Sequence, residues 1–484
     1  MIVMKFGGSS LESAKAIQRV ASIVRQHSEP PPVVVVSAMG KTTDRLLAMA
    51  YLYADGNMRS ADQALAKIQH FHYTEALLLA RGRQAVWLDD QLAGLFEELD
   101  HVLHEVCSSR LLAPKLSDAV LSFGERISSL MVTAAFRQMG LDAVHLDARQ
   151  AIVTDARHTQ ASPLFIDTNA LLRRKVSREQ ITVMGGFIAA TEDGVPTTLG
   201  RGGSDYTAAI VGAALAADEI QIWTDVDGML TCDPRVVSGA HCLRSISYAE
   251  AEQMAKAGAK VLHPATVLPA VRQHIPIVIR NSRNPGAAGT RISPQHPCDG
   301  AVMSIACRSG IALVQVIPRN APVTGDFGNQ VWDAFQRAGA GFDLVATTSS
   351  EISLVVDEAS LTPEFRSDLE QLAELKVQGD LSLVTLVGHN VSRNPSNLVR
   401  ASQRLRGLPG GAILTWCSDS RFAFMIAADA LESAAQMLHD EFFTQPDPVY
   451  YVPNRTSVMP GEQRQARSAA LRVLQPGTEH APRL

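Results

Sequence analysis

The stretch that decides the fold is residues 197–209, which read Thr197-Thr198-Leu199-Gly200-Arg201-Gly202-Gly203-Ser204-Asp205-Tyr206-Thr207-Ala208-Ala209. Three glycines crowd one turn, and an alanine-rich apolar run at helical spacing follows. Glycines let backbone amides approach a ligand closely, and a helix start directs free N–H groups and a positive dipole end at an anion. Such turns are often ordinary turn chemistry, but the charged Arg201 and Asp205 favour a cradle for a phosphate or carboxylate.

The composition is typical of a soluble protein with several domains. A length of 484 residues predicts about three domains. The net charge of -5 offers no basic surface for nucleic acid, and no apolar run reaches membrane-spanning length. The six cysteines form no Cys-x-x-Cys pair, which is typical of reduced thiols. We therefore expect a cytoplasmic protein that acts on small molecules and binds neither nucleic acid nor membranes.

Short apolar runs alternate with helical patterns through the first part of the chain. The run 33–36 is apolar on both faces, as in parallel strands that helices cover on each side. We therefore expect an α/β fold, a three-layer sandwich with a mainly parallel sheet and ligands beyond the carboxyl ends of its strands. The predicted strands are 2–6, 33–37, 119–123, 143–146, 181–184, 219–224 and 275–279, and residues 44–115 are predicted to be helical.

The pattern changes after Asn284-Pro285-Gly286 and again at 293–297, which predicts a linker. Beyond it, the order strand, helix, strand, strand, helix occurs twice and predicts two βαββαβ units of the ferredoxin-like type. The expected division is 1–292 for the first domain, 300–380 and 381–455 for the two α+β units, and 456–484 for a disordered tail.

Two segments after the first two predicted strands suit anionic ligands. Lys5-Phe6-Gly7-Gly8-Ser9-Ser10 offers fixed positive charge and preorganised amides, which a transferring phosphoryl group needs. Residues 37–44 (Ser-Ala-Met-Gly-Lys-Thr-Thr-Asp) lack the leading glycine of a Walker loop, because position 35 is valine. They are better suited to hold a substrate carboxylate or amine.

Other polar clusters follow later elements. Glu125, after Phe123-Gly124, is either a carboxylate for an ammonium or hydroxyl group or an ordinary helix-start residue. Gly185-Gly186-Phe187 predicts a close-approach turn with one aromatic wall.

Two later segments favour nucleotide contact. Residues 223–235 are rich in aspartate but lack the terminal glutamate of a calcium loop. In Gly258-Ala259-Lys260-Val261-Leu262-His263-Pro264, the lysine lies where a cation reaches nucleotide phosphates, and we interpret His263 as a structural residue.

Together these motifs resemble the aspartate kinases of the amino-acid-kinase family. The resemblance rests on Lys5-Phe6-Gly7-Gly8-Ser9-Ser10, Phe123-Gly124-Glu125, Thr198-Leu199-Gly200-Arg201-Gly202-Gly203-Ser204-Asp205, Trp223-Thr224-Asp225-Val226-Asp227-Gly228, Asp233-Pro234-Arg235 and 258–264, in that order and spacing. Other amino-acid kinases share the lysine-glycine start but not the Leu-Gly-Arg-Gly-Gly-Ser-Asp block beside Lys-Val-Leu-His-Pro. The C-terminal part resembles the tandem ACT domains of that family, which sense end-product amino acids.

The resemblance implies transfer of the γ-phosphoryl group of ATP, with Mg²⁺, to the side-chain carboxylate of L-aspartate. The product would be 4-phospho-L-aspartate, at the start of lysine, threonine and methionine synthesis. Protein side chains are not expected to bind a metal, and the length predicts a monofunctional chain without a fused homoserine dehydrogenase. Two alternatives stay open: a related kinase with another acidic acceptor such as glutamate, and a non-catalytic amino-acid sensor.

The resemblance also implies roles for individual residues. Lys5 stabilises the migrating phosphoryl group, Asp205 holds the cationic groups in register, Arg201 pairs with the substrate carboxylate and Glu125 takes its ammonium group. The implied catalytic residues are Lys5, Gly7, Gly8 and Asp205. The implied substrate residues are Ser37, Thr43, Glu125, Phe187, Arg201 and Ser204. The implied ATP residues are Lys5, Gly8, Ser9, Thr224, Asp225, Leu230, Arg235, Lys260 and Val261, with Leu230 standing where some relatives carry tyrosine.

Regulation and assembly follow from the same resemblance. Residues 342–351 (Phe-Asp-Leu-Val-Ala-Thr-Thr-Ser-Ser-Glu) are close to the effector-binding segment of the family but two residues longer. This implies a lysine or threonine effector at Asp343, Leu344 and Thr347. ACT units cover exposed strands by pairing between chains, so a homodimer or higher homo-oligomer is expected.

Overall fold

The structure is a computed structural model that describes residues 1–258, 264–295, 298–319 and 322–452. The strands up to residue 293 are β1 (Ile2–Phe6), β2 (Val33–Val36), β3 (Ala143–Leu146), β4 (Ile181–Gly185), β5 (Ile188–Ala190), β6 (Pro196–Thr198), β7 (Glu219–Thr224), β8 (Cys242–Leu243), β9 (Ser245–Ser247), β10 (Ile277–Asn281) and β11 (Thr290–Ser293). The helices are α1 (Ala14–Arg25), α2 (Thr42–Ala54), α3 (Met58–Leu79), α4 (Arg83–Ser109), α5 (Pro114–Gln138), α6 (Phe165–Lys175), α7 (Gly203–Leu215), α8 (Tyr248–Lys256) and α9 (Leu268–Arg272).

Eight of these strands form one sheet in the order β3-β4-β2-β1-β7-β10-β11-β9. Neighbouring strands are parallel except β10 and β11. The valines of β2 are buried on both faces: Val33 and Val35 belong to one hydrophobic core and Val34 and Val36 to another. The predicted three-layer sandwich with a mainly parallel sheet is thus confirmed.

The alternation of side chains along β1 explains where Lys5 points. Val3 packs in the same core as Ala208 of α7, whereas Met4 and Phe6 pack in the core on the other side of the sheet. Successive side chains of a strand face opposite sides. Lys5 therefore lies on the same side as Val3, facing α7.

The prediction of a strand at 119–123 is wrong, because these residues lie inside helix α5. Pro114 occupies the start of that helix, where its missing N–H costs nothing, and most side chains from 117 to 136 are buried. A short apolar run does not distinguish a buried strand from a buried helix. Glu125 consequently projects from the middle of a helix. By length and composition α5 could also cross a membrane, but 94% of its most apolar window is buried inside this protein.

The C-terminal part contains a second sheet of a different kind. Its strands are β12 (Ser304–Ile317), β13 (Phe342–Thr347), β14 (Ile352–Asp357), β15 (Glu374–Val387), β16 (Ile413–Ser418) and β17 (Arg421–Ala427), followed by β18 (Tyr451–Val452), which pairs with β8. The helices are α10 (Gly325–Ala338), α11 (Pro363–Leu372), α12 (Pro395–Leu405) and α13 (Leu431–Phe443). The six-stranded sheet is antiparallel, in the order β13-β14-β12-β15-β17-β16, and confirms the ferredoxin-like α+β prediction.

The two α+β units share their central strands. Residues 304–309 of β12 pair with 382–387 of β15, whereas 313–317 pair with 374–378. Residues 304–309 precede both units in the chain, yet they therefore complete the sheet of the second unit. The domain boundaries stay a prediction, and this pairing favours assigning residues 304–309 to the second unit. The predicted tail, 456–484, lies outside the described residues.

Candidate active site

The side chains of Lys5 and Asp205 meet where β1 ends and α7 begins. Lys5 Nζ lies 2.7 Å from Asp205 Oδ1, and the two side chains are only 12% and 15% exposed. Asp205 lies in the first turn of α7, where the positive end of the helix dipole favours a negative charge. The pair holds the lysine ammonium group at the carboxyl end of the strand.

The glycine-rich turn before α7 has the backbone that its sequence predicts. Gly200 and Gly202 have φ values of 75° and 72°, a conformation that glycine adopts readily. Gly203 begins the helix, and a Cβ there would lie 2.7 Å from Cδ2 of Phe187. The turn therefore brings the backbone at the start of α7 directly against the aromatic ring.

The backbone at Gly8 also lies very close to a neighbouring loop. A Cβ at this position would lie 2.7 Å from the carbonyl oxygen of Gly40 and 3.0 Å from that of Ala38. The Gly40 N–H donates to the carbonyl oxygen of Gly8 at 3.0 Å. Only glycine fits between these backbones, so the loops after β1 and β2 pack together.

Glu125 is a buried carboxylate with one free oxygen. Its side chain is 3% exposed, and Oε1 accepts the N–H of Ala38 at 3.1 Å. Oε2 is buried and has no hydrogen-bond partner among the residues that the structure describes. Desolvation raises the pKa of Glu125 to about 8, and the hydrogen bond from Ala38 and the positive charge of Lys5 offset only part of that effect. A buried, unpartnered carboxylate oxygen is suited to receive a cationic group.

These features surround one cleft of about 480 Å³. All six predicted substrate residues line it, together with Lys5, Gly8 and Asp205 of the predicted catalytic set. Gly7 does not line the cleft, but a Cβ there would lie 3.6 Å from Lys5 Nζ. The structure thus brings the middle of α5, the start of α7 and the carboxyl ends of β1 and β2 together, while the chemical role of each residue stays a prediction.

Of the predicted nucleotide residues that the structure describes, Lys5 and Gly8 line the cleft and the others lie outside it. Thr224 ends β7, next to β1, and its hydroxyl donates to Asp225 Oδ1 at 3.2 Å. The guanidinium group of Arg235 is paired with Asp233 at 2.6 Å. Leu230 packs against the hydrophobic core, and Ser9 is half-buried in the turn after β1. Lys260 and Val261, like His263, lie outside the described residues.

Comparison with known proteins points to one family. The amino acid kinase family matches residues 1–281. The chain is 32% identical over 454 residues to the lysine-sensitive aspartokinase 3 of Escherichia coli, covering 92% of this chain and 99% of that enzyme. The chain belongs to the aspartokinase family.

Further matches agree with this membership. A maize bifunctional aspartokinase/homoserine dehydrogenase is 32% identical over 467 residues, and the chain spans 50% of its length. The solved structure of E. coli aspartokinase III in complex with aspartate and ADP superposes with a TM-score of 0.78 at 30% identity, over 92% of this chain and 100% of that one. Aspartokinases are phosphotransferases with a carboxyl group as acceptor, so the predicted enzyme class is confirmed.

The structure of this aspartokinase also reveals cleft residues that the sequence did not single out. Thr159 and Thr198 line the cleft, and both bond to the buried Asp118 of α5. The spacing of seven residues between Asp118 and Glu125 places them on one face of a helix. In a strand the same spacing would place the two residues on opposite faces, so the predicted strand at 119–123 does not relate them.

The predicted effector residues of this aspartokinase lie on β13, at one edge of the second sheet. Asp343 Oδ2 accepts from Arg308 Nη1 at 2.9 Å, and Arg308 also pairs with Asp357 Oδ1 at 2.8 Å. Leu344 and Thr347 follow on the same strand. Sequence reasoning did not identify Arg308, because its partners are distant in the chain.

Proposed function

We propose that this aspartokinase transfers the γ-phosphoryl group of ATP to the side-chain carboxylate of L-aspartate and releases 4-phospho-L-aspartate. The observation that carries the proposal is the Lys5–Asp205 pair, 2.7 Å long, within the cleft that Glu125 and Arg201 also line. The E. coli relative that superposes on the chain was solved with aspartate and ADP. That complex supports the same two ligand classes here.

Two charged residues of the cleft are proposed to bind groups of the substrate that carry the opposite charge. Arg201 is exposed at the turn, and its planar fork suits the two oxygens of the α-carboxylate. The free Oε2 of Glu125 takes the α-ammonium group. These two contacts leave the side-chain carboxylate of aspartate as the group that receives phosphate.

The acceptor needs no general base, because a carboxylate is already ionised at neutral pH. The rate then depends on alignment and on neutralisation of the charge on the transferring phosphoryl group. Lys5 provides that positive charge, and Asp205 fixes its position. The carboxylate of Asp205 is paired with the ammonium group of Lys5. We therefore propose that the phosphates of ATP bind Mg²⁺ and that no set of protein side chains does.

Finer assignments belong to the same proposal. Thr224, Asp225, Leu230, Arg235, Lys260 and Val261 are proposed to hold the nucleotide, and Asp343, Leu344 and Thr347 a lysine effector. The E. coli relative is named lysine-sensitive, which supports lysine over threonine. The exposed edge strands β13 and β16 support a homo-oligomer formed through the C-terminal sheet. The six free cysteines support a reducing, cytoplasmic location.

Hydroxylamine trapping tests the proposal, because it converts an acyl phosphate to a stable hydroxamate. With ATP and Mg²⁺, we expect hydroxamate and ADP to form with L-aspartate and not with L-glutamate. Hydroxamate with glutamate alone would show a different acidic acceptor. Amino-acid binding without ADP release would show a non-catalytic sensor.

A further inference from the structure

Asp118 is a fully buried carboxylate beside the cleft. Its side chain is 0% exposed and accepts three hydrogen bonds. Oδ1 accepts from the Thr198 hydroxyl at 2.6 Å, and Oδ2 accepts from His158 Nδ1 and from the backbone N–H of Thr159, both at 2.9 Å. Hydrogen bonds to a buried carboxylate are short and strongly directional, so this cluster favours a single arrangement.

The three donors lie on two segments that form the rim of the cleft. Thr198 directly precedes the glycine-rich turn that carries Arg201, and its carbonyl oxygen accepts the N–H of Ala161 at 2.9 Å. A Cβ at Gly200 would lie 3.2 Å from the carbonyl oxygen of Thr159. Asp118 therefore attaches both segments to helix α5.

Thr159 shows that the arrangement is imposed by its surroundings. Its φ is 70°, a conformation that β-branched residues rarely adopt. Such a backbone persists only where neighbouring groups hold it. Here the hydrogen bond from the Thr159 N–H to Asp118 holds it at the cleft wall.

Helix α5 also carries Glu125, seven residues after Asp118. Two helical turns separate these residues by about 10 Å along the axis, on the same face. The helix thus supports the proposed ammonium subsite directly through Glu125. Through Asp118 and Thr198 it supports the turn that contains the proposed carboxylate subsite, Arg201.

We propose that Asp118 is a positioning residue that fixes the distance between the ammonium subsite at Glu125 and the carboxylate subsite at Arg201. The inference rests on the proposed function for the identity of the ligand. Asp118 itself does not line the cleft and acts through Thr198 and Thr159. It thereby sets where the α-carbon of the bound amino acid lies in the cleft.

Two variants test this role at different cost to folding. Asp118→Asn keeps the shape but removes the charge and one acceptor, and Thr198→Val removes only one hydroxyl donor. For both we expect the KM for L-aspartate to rise about tenfold or more, with kcat and the KM for ATP within about twofold of the wild type. Amide hydrogen exchange should increase in 158–162 and 198–204, and this second readout does not depend on turnover.

Thr133→Val is the matched control. Thr133 is a buried threonine on the same helix, and its hydroxyl donates to the carbonyl oxygen of Ser129 at 2.7 Å, within the helix. We expect unchanged kinetics and unchanged exchange at the rim. Variants that melt near the wild-type temperature with an unchanged KM for aspartate would overturn the inference, as would equal losses in kcat and in both KM values. A wild type without aspartate turnover would instead refute the proposed function, and unchanged rim exchange in both variants would then refute the positioning role separately.

Discussion

Lys5 and Asp205 come from the first strand and from the helix that follows the glycine-rich turn, yet Lys5 Nζ lies 2.7 Å from Asp205 Oδ1. Both side chains are largely shielded from solvent, so their attraction is screened less than that of a surface pair. The carboxylate of Asp205 holds the ammonium group of Lys5 at the wall of the cleft.

Replacing Lys5 with methionine is expected to lower kcat far more than it raises either KM. The proposed role of the ammonium group is to neutralise the charge that develops during transfer, and loss of one such group typically costs about 10²-fold or more in kcat. Steady-state kinetics with ATP and aspartate will measure this. Lys15 lies on exposed surface of α1, and Lys15→Met is the control that should keep wild-type kinetics. A change confined to KM would contradict the role given to Lys5.

Replacing Arg201 with glutamine is expected mainly to raise the KM for aspartate. A hydrogen bond to a charged group contributes about 1.5–3 kcal/mol, which corresponds to roughly a 10- to 100-fold change in affinity. The KM for ATP should stay near the wild-type value. Arg178 is an exposed arginine of the same domain and supplies the control substitution, Arg178→Gln. An equal effect of Arg201→Gln on kcat and KM would argue against carboxylate binding.

The aspartate affinity should depend on the protonation of Glu125. Burial raises the pKa of this group to about 8, so the empty site is largely protonated at pH 6. Only the ionised form attracts an ammonium group, and we expect the KM for aspartate to fall as pH rises from 6 to 8. Glu125→Gln should have a high KM that hardly varies over this range. A pH-independent KM in the wild type would contradict the assignment.

The raised pKa of Glu125 also predicts how the free energy of unfolding changes with pH. The folded chain keeps a proton on Glu125 that the unfolded chain releases above the ordinary glutamate pKa of 4.5. The folded state then binds more protons than the unfolded state, so this group lowers the free energy of unfolding as pH rises from 4.5 to about 8. Glu125→Gln lacks the effect. Its melting temperature relative to the wild type should therefore increase across that window.

Replacing glycine with alanine is expected to lower stability at Gly8 and to raise it at Gly94. Alanine at Gly8 would clash with two backbone carbonyl oxygens, which cannot move as a side chain can. We expect a loss of about 1–3 kcal/mol in the free energy of unfolding and a severe loss of activity. Gly94 is exposed inside α4, and a Cβ there meets nothing within 4 Å. Gly94→Ala should add about 0.5–1 kcal/mol, measured by denaturant unfolding, with unchanged activity.

Arg308 is expected to compete with a lysine effector for Asp343. The guanidinium group contacts Asp343 Oδ2 at 2.9 Å. Asp343 is the residue that we propose to bind the ammonium group of the effector. Arg308→Ala should therefore lower the lysine concentration that gives half inhibition by several-fold. Arg366 pairs with Glu370 on α11, in the unit that contains Asp343, so Arg366→Ala is the matched control. An unchanged lysine response in Arg308→Ala would exclude the competition.

Much of the cleft could be predicted from local sequence. Local sequence explains the backbone geometry of two segments, Lys5-Phe6-Gly7-Gly8 and Gly200–Asp205. Glycine φ angles, helix starts and strand ends are local properties. The parallel sheet followed from valines that are apolar on both faces. For Glu125 the local sequence left a ligand carboxylate and an ordinary helix-start residue both open, and the ammonium role followed only from the family resemblance.

Other features depend on residues that meet only in the folded chain. As a sequence, the apolar run around Phe123 is compatible with a strand or a helix. Its packing among other elements of the fold determines that it is a helix. The bonds of Asp118 to Thr159 and Thr198, and those of Arg308 to Asp343 and Asp357, join segments that no sequence spacing relates. The raised pKa of Glu125 likewise required knowledge of what surrounds it.

The sequence by itself determined the chemical groups and the backbone conformations available at each strand end, because these depend on residue type and near neighbours. Only the tertiary structure decided which of those groups face one another, how far each is removed from water, and that residues 304–309 complete the second α+β unit. Burial and long-range pairing are properties of the whole packed chain, and no local segment contains them.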